Sequence, residues 1–272
     1  MKYIVCYSGG HSSALVAIET VRKFGKENVI LLNHDISSKV EHTDIKRFKQ
    51  EVADYLDLPI TYANADDYEN LTPLDVCEKR GAFVNPQTQQ ALCTYYLKTK
   101  PFYKWLKSNY PSCIETPRKD MKILYGFDAS EPERIQRKVG VMATMGYYTN
   151  YPLALLDRTI QTTEQVGIKP PVTYSIFKHA NCFPCLKAGR QHWYIAYCLK
   201  REQFDRAMRL EEELGHSIIK GATLEELIPE YERMIACGIC PNDKENSASF
   251  WAKVNNALPE QQTLLPCDCA VL

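Results

Sequence analysis

A chain of 272 residues can bury a full core, as one domain of ordinary size or as one with an appendage. Its 33 Lys and Arg offset 33 Asp and Glu, which argues against a broad electrostatic grip on nucleic acid or acidic membrane but leaves room for a local basic groove. No apolar run approaches the ~20 residues of a membrane span, and the N-terminus lacks the charged and apolar regions of a signal peptide. A soluble cytoplasmic protein without membrane contact is expected. Disulfides are uncommon in that compartment, so eleven clustered cysteines point to metal or sulfur chemistry.

In chain order, Tyr3 to Tyr7 is a short apolar run ending in Ser8-Gly9-Gly10-His11-Ser12-Ser13. Apolar residues at helical spacing follow (Ala14, Leu15, Ala17, Ile18, Val21), which predicts strand, glycine turn, then a helix with Ser12 or Ser13 as N-cap. Free N–H groups at that helix start suit an anion, best a phosphate. Asn28 to Asp35 reads as a second strand, Glu41 to Leu58 as a helix and Pro59 to Asn64 as a third strand. This alternation predicts a parallel sheet, with Ser8–Ser13 and Asn33-His34-Asp35 on its ligand-binding carboxyl edge. For Asn33 and His34 an ordinary loop role is the alternative.

Leu71 to Phe83 is expected to be helical, Gly81 to Gln90 a polar flap, and the stretch after Cys93-Thr94-Tyr95-Tyr96-Leu97-Lys98 an amphipathic helix. Lys122 to Phe127 is expected as a strand with Gly126 near its end, then a helix capped by Ser130, and Asn150 to Leu153 as the last strand. From about Gly167 the chain becomes rich in Cys, His and aromatics. The predicted division is a nucleotide-binding α/β region over 1–166 and a mainly helical, Cys/His-rich metal-binding region over 167–272.

Four ordered segments carry a resemblance. Ser8 to Ser13 resembles the Ser-Gly-Gly-x-Asp-Ser loop of the PP-loop ATP pyrophosphatases, in the adenine nucleotide alpha hydrolase superfamily. Cys93-Thr-x-x-Leu-Lys98-x-Lys-Pro101-Phe, Gly126 through Arg137, and Tyr151-Pro152-Leu153 look like segments of the phosphoadenosine phosphosulfate (PAPS) reductase branch. Phage-encoded and DNA-phosphorothioation members of this branch look closer than the reductases themselves, including their cysteine-rich tails. The resemblance implies a Rossmann-like parallel sheet binding ATP with Mg²⁺. It places phosphate on Ser8, Gly9, Gly10, Ser12 and Ser13, with His11 at the loop's variable position. Asn33, His34, Asp35 and Gly126 complete the expected nucleotide site, and Lys98, Arg134, Arg137 and Cys93 form the expected catalytic set. Guanidinium groups suit phosphate or sulfate oxygens through paired hydrogen bonds.

The chain departs from the family at three places. Ser12 stands where the loop has Asp, Pro132 replaces the Ser after Glu131, and Glu213-Leu214-Gly215-His216 lacks the thiol of the reductases' C-terminal segment. The expected activity is therefore cleavage at the α-phosphate or adenylation of an acceptor, linked to sulfur transfer. A degenerate nucleotide-binding sensor or partner protein is the first alternative, and a PAPS reductase using Cys93 or a cluster the second.

His179-x2-Cys182-Phe-Pro-Cys185-x6-His192 has metal-ligand spacing, with Cys93 and Cys198 as further ligand choices; a [4Fe–4S] cluster, zinc and no metal all stay open there. Cys237-Gly-Ile-Cys240 with Cys267-Asp-Cys269 reads as a four-thiolate structural zinc site, against an iron–sulfur or redox role. The C-terminal Cys269-Ala-Val-Leu272 also fits a prenylation box, although no basic run precedes it. Lys187 to Arg209 interleaves basic residues with Trp193, Tyr194 and Tyr197, which is either a nucleic-acid surface or an amphipathic helix whose charges are offset by Glu211-Glu212-Glu213. The partners expected are an adenine nucleotide and a nucleic-acid or small-molecule acceptor, with a homodimer left open.

Overall fold

Five short runs, β1 (Lys2–Cys6), β2 (Val29–Asn33), β3 (Ile60–Tyr62), β4 (Arg118–Leu124) and β5 (Tyr147–Asn150), pair into one parallel sheet of order β3-β2-β1-β4-β5. The structure is a computed structural model, in which residues 1–155, 158–179 and 182–258 are described. Ile4 lies level with Ile30 and Ile123, and Val5 with Leu31 and Leu124. Successive residues of a strand face opposite sides, so each aliphatic run feeds two cores. Val5, Leu31 and Leu124 pack under α1 (His11–Phe24) and α2 (Thr43–Tyr55), meeting Ala14, Ile18, Phe48 and Val52. Ile4, Leu32 and Ile123 face the other way. They meet Phe102 and Leu106 of α5 (Lys100–Asn109) and Met142 of α6 (Pro132–Ala143).

A third core joins the two regions that the sequence divides at 166/167. Leu74 and Val76 of α3 (Pro73–Arg80) and Cys93 of α4 (Leu92–Thr94) contribute to it, with Leu97. Trp193 and Tyr194 of α8 (Arg190–Leu199), Phe204 of α9 (Arg201–Leu214), Tyr231 of α10 (Leu224–Ala236) and Phe250 of α11 (Ser247–Ala257) complete it. Ile168 meanwhile packs in the α1/α2 core. The C-terminal helices therefore bury their aromatic faces against elements of the N-terminal half. Among the described residues, no helix is long and apolar enough to cross a membrane.

Several local expectations are corrected. The chain ends β5 at Asn150 and turns helical at α7 (Pro152–Leu155), because proline offers a sheet no N–H but fits a helix's first turn. Helix α1 starts at His11 with Gly10 as N-cap and no side-chain cap; Ser13 Oγ donates back to the Gly10 carbonyl at 2.8 Å. Pro132 opens α6, which makes Glu131 rather than Ser130 the N-cap; the Ser130 hydroxyl bonds Asp128 instead. β4 covers Arg118–Leu124, so it starts earlier than the predicted strand and leaves Gly126 in the following loop. The expected flap is a turn closed by a Val84–Ala91 bridge. Between α4 and α5 the helix passes through a π turn, Tyr95–Thr99.

Candidate functional site

The loop after β1 is shaped by what lies under it. Gly9 is buried at φ +80°, and a Cβ there would stand 2.5 Å from Lys49 Cγ and 2.7 Å from Cδ. Gly126 approaches from β4: a Cβ would sit 3.1 Å from the Ser12 carbonyl carbon and from Ser13 N. Glycine at both positions lets the β4 end press against the start of α1. Above this contact opens a cavity of ≈ 530 Å³, whose floor is Ser8, Gly10, His11, Ser12 and Ser13. Tyr125, Gly126 and Phe127 form one side of it. It lies where the strand order reverses, between the carboxyl ends of β1 and β4. Open parallel sheets bind ligands at such a place.

Charge enters the cavity from two directions. Arg134 on α6 lines it, its guanidinium 4.3 Å from the Phe127 ring centroid and ion-paired with Glu131. Opposite, Tyr174, Lys178 and His179 come from the segment after the sheet. The Tyr174 hydroxyl accepts the His11 N–H at 2.9 Å, at the first turn of α1. Sequence reasoning missed Tyr174 and Lys178 and assigned His179 to metal. No strand or helix period marks this segment, and only folding brings it over the loop. Arg137 is exposed on α6 and does not line the cavity, so the expected arginine pair is divided.

The end of β2 plays a supporting part. Asn33 is buried and its amide donates to the Tyr7 carbonyl at 2.5 Å, which corrects its assignment as a nucleotide contact. His34 Nδ1 is bonded to the Ala63 carbonyl, and burial pushes the imidazole's pKa down to about 4. Burial alone would raise Asp35, but the ammonium groups of Lys46 (2.9 Å) and Lys49 (3.4 Å) outweigh it and hold the carboxyl below its ordinary value. Lys49, nearly inaccessible, reaches Glu41 at 2.8 Å. This buried ionic cluster fixes the lysine stem on which Gly9 rests.

A second cavity of ≈ 310 Å³ gathers Cys93, Cys182, Cys185 and Lys98. Residues five apart align more closely on a π turn than on an α-helix, which explains how Cys93 and Lys98 share this wall. Lys98 therefore stands with the thiols and not over the Ser8–Ser13 loop. Burial pushes the Cys93 thiol up to about 11 and also raises Cys182, whose rise Lys98 opposes. His192 lies close by, bonded through one ring nitrogen. Its Nε2 accepts the Cys185 N–H at 2.9 Å, its ring is 5.4 Å from both Phe177 and Phe183, and burial lowers its pKa to about 4. Its Nδ1 is buried without a hydrogen-bond partner among the described residues.

Among the described residues, no three His, Cys, Asp or Glu side chains stand close enough to hold a metal ion. A single zinc on Cys182, Cys185, His179 and His192 therefore does not fit this arrangement. Cys93, Cys182 and Cys185 border one cavity, but they too do not form such a group. Cys237 and Cys240 are exposed past the end of α10, and the other half of the expected zinc site, Cys267 and Cys269, lies outside the described residues. Trp193, Tyr194 and Tyr197 are core residues of α8, so they present no stacking faces to nucleic acid.

No family model and no solved structure matches the chain. It is 25% identical to the uncharacterized nin region protein ORF290 of Escherichia phage lambda over 228 residues, taking in 75% of this chain and 71% of that protein.

Proposed function

We propose that the chain is a PP-loop enzyme of the PAPS-reductase-like branch, with a Rossmann-like fold, that binds ATP over Ser8–Ser13 and cleaves it at the α-phosphate, adenylating an acceptor in sulfur transfer. The observation that carries the reading is the cavity at the strand-order reversal, with a glycine loop as its floor and cationic groups on its walls. Backbone N–H groups at the start of α1 would receive phosphate oxygens, displacing or sharing the Tyr174 hydroxyl. Arg134, Lys178 and His179 would offset phosphate charge, and Gly126 would let the nucleotide lie close to the β4 end. Glu131 is a carboxylate on the wall and would hold Mg²⁺, which when bound draws charge from the phosphates. An acceptor oxygen would then attack the α-phosphorus, with pyrophosphate leaving.

Turnover with ATP labelled at the α-phosphate, with pyrophosphate measured in parallel, tests this. Pyrophosphate with labelled AMP or an adenylated product supports it, and ADP would make the protein a kinase instead. A second reading, a binding module without catalysis, is favoured by Ser12, exposed on the cavity floor where the family loop carries Asp. Tight ATP binding with no turnover, unchanged in Ser12→Asp, would establish that reading and refute the first.

A further inference from the structure

A third cavity, of ≈ 640 Å³, opens on the far side of the thiol cavity's wall. Leu186, Lys187 and Ala188 line both. The rest of its wall comes from the turn around Phe83–Ala91, from His216–Lys220 and from Trp251 on α11. Its charge is one-sided. Lys187, Arg190 and Lys220 line it together with His216, and among the described residues no Asp or Glu does. In a chain with equal numbers of acidic and basic residues, such a lining needs a reason.

Arg190 has a partner, Glu230, and lies 5.0 Å from the Trp251 ring centroid. Lys187 and Lys220 are different: both are exposed and neither makes an ion pair among the described residues. Like charges held around one concave surface repel, and the field they create is focused by the apolar wall of Phe83, Val84, Ile219 and Trp251. An anion removes that repulsion. The volume falls in the range of ligand sites, roughly 300–1,000 Å³. Lysine ammonium groups meet phosphate as point charges, and the Arg190 fork can add parallel hydrogen bonds.

We infer that this cavity binds phosphate groups of a ligand presented to the thiol cavity next door. The ligand's phosphates sit on Lys187 and Lys220, and its apolar part lies against Phe83 and Trp251. The phosphate belongs either to a free phosphate compound or to the backbone of a single strand. The inference stands on this cavity's own charge and does not depend on the nucleotide reading of the Ser8–Ser13 loop.

The test is equilibrium binding to the full chain by two probes at low salt. One is inorganic phosphate, followed by calorimetry. The other is a fluorescein-labelled single-stranded RNA of about 12 nucleotides, within the range of strand-binding sites, followed by anisotropy. At least one probe binds the wild type, and its affinity falls with added salt. The double variant Lys187→Glu/Lys220→Glu weakens that probe tenfold or more while melting like the wild type. Lys107→Glu, a charge reversal on α5, changes it less than twofold. Arg134→Ala weakens only phosphate held in the loop cavity, which the double variant leaves intact, so failure of the two sites can be told apart. Phosphate binding alone identifies a free phosphate compound as the ligand class, and strand binding identifies a nucleic-acid backbone. Absence of binding by both probes, or unaltered affinity in the double variant, overturns the inference.

Discussion

Gly9→Ala measures how firmly the buried lysine beneath the loop dictates its backbone. The added methyl meets two costs. At φ +80° an L-residue pays about 1–2 kcal/mol for the left-handed region. Its Cβ would also stand 2.5 Å from Lys49 Cγ, inside any real carbon–carbon contact. The stem cannot swing aside cheaply, because Lys49 Nζ holds Glu41 at 2.8 Å and the side chain is enclosed. Overpacking of this kind costs about 1–3 kcal/mol, so the sum is about 2–5 kcal/mol. Gly81→Ala isolates the first cost: its φ is +66° and nothing lies within 4 Å of the added Cβ. Urea unfolding of both variants at neutral pH gives the difference, and Gly9→Ala should lose about 1–3 kcal/mol more than Gly81→Ala. Equal losses would mean that the lysine stem does not set the loop.

Acid should weaken the fold before the carboxylates titrate. His34 and His192 sit near 4 when folded against about 6.5 when unfolded, so the unfolded chain binds the extra protons and stability is lost as pH falls through that window. Each imidazole contributes a slope of up to about 1.4 kcal/mol per pH unit, and a urea midpoint unchanged between pH 7 and pH 5 would contradict this. Arg134→Ala should weaken ATP binding about tenfold, the loss of one charge-assisted contact, whereas Arg137→Ala should change it less than twofold; calorimetry showing equal effects would return Arg137 to the site. Trp193→Ala should cost about 3–5 kcal/mol, and an unshifted melting temperature would deny it a core role.

The sheet was legible because its signal is local. A strand buried on both faces is an aliphatic run, and Ile4-Val5, Leu31-Leu32 and Ile123-Leu124 each feed both layers. The glycine loop was legible for the same reason, since its conformation is set within a few residues. What the sequence hid is what the fold assembles. Tyr174 lies 163 residues from the His11 N–H it meets. The π turn that swings Lys98 toward the thiols has no propensity signature. His192 has metal-ligand spacing, but spacing does not reveal that its Nε2 is already bonded to the Cys185 backbone. For the aromatics of α8 the pattern allows a stacking surface or a buried helix face, and only the packing of α10 and α11 decides for the second.

Charge is the sharpest case, because a net of zero describes a sum and not a surface. Many of the carboxylates are committed locally. Glu41 and Asp35 hold Lys46 and Lys49; Asp44 and Glu51 hold Arg47; Asp75 and Glu78 hold Arg206. Acids tied up in such pairs cannot neutralise a distant cavity, since exposed charges are screened beyond roughly 10 Å at moderate salt. Lys98, Lys187 and Lys220 are left without an ion pair among the described residues, each on a cavity wall. Lys178 gives its ammonium to the Glu245 carbonyl, a dipole that holds it in place without cancelling its charge. Balanced composition thus leaves uncancelled lysines on separate cavity walls, beside the loop and beside the thiols, and on that placement both proposed anion sites rest.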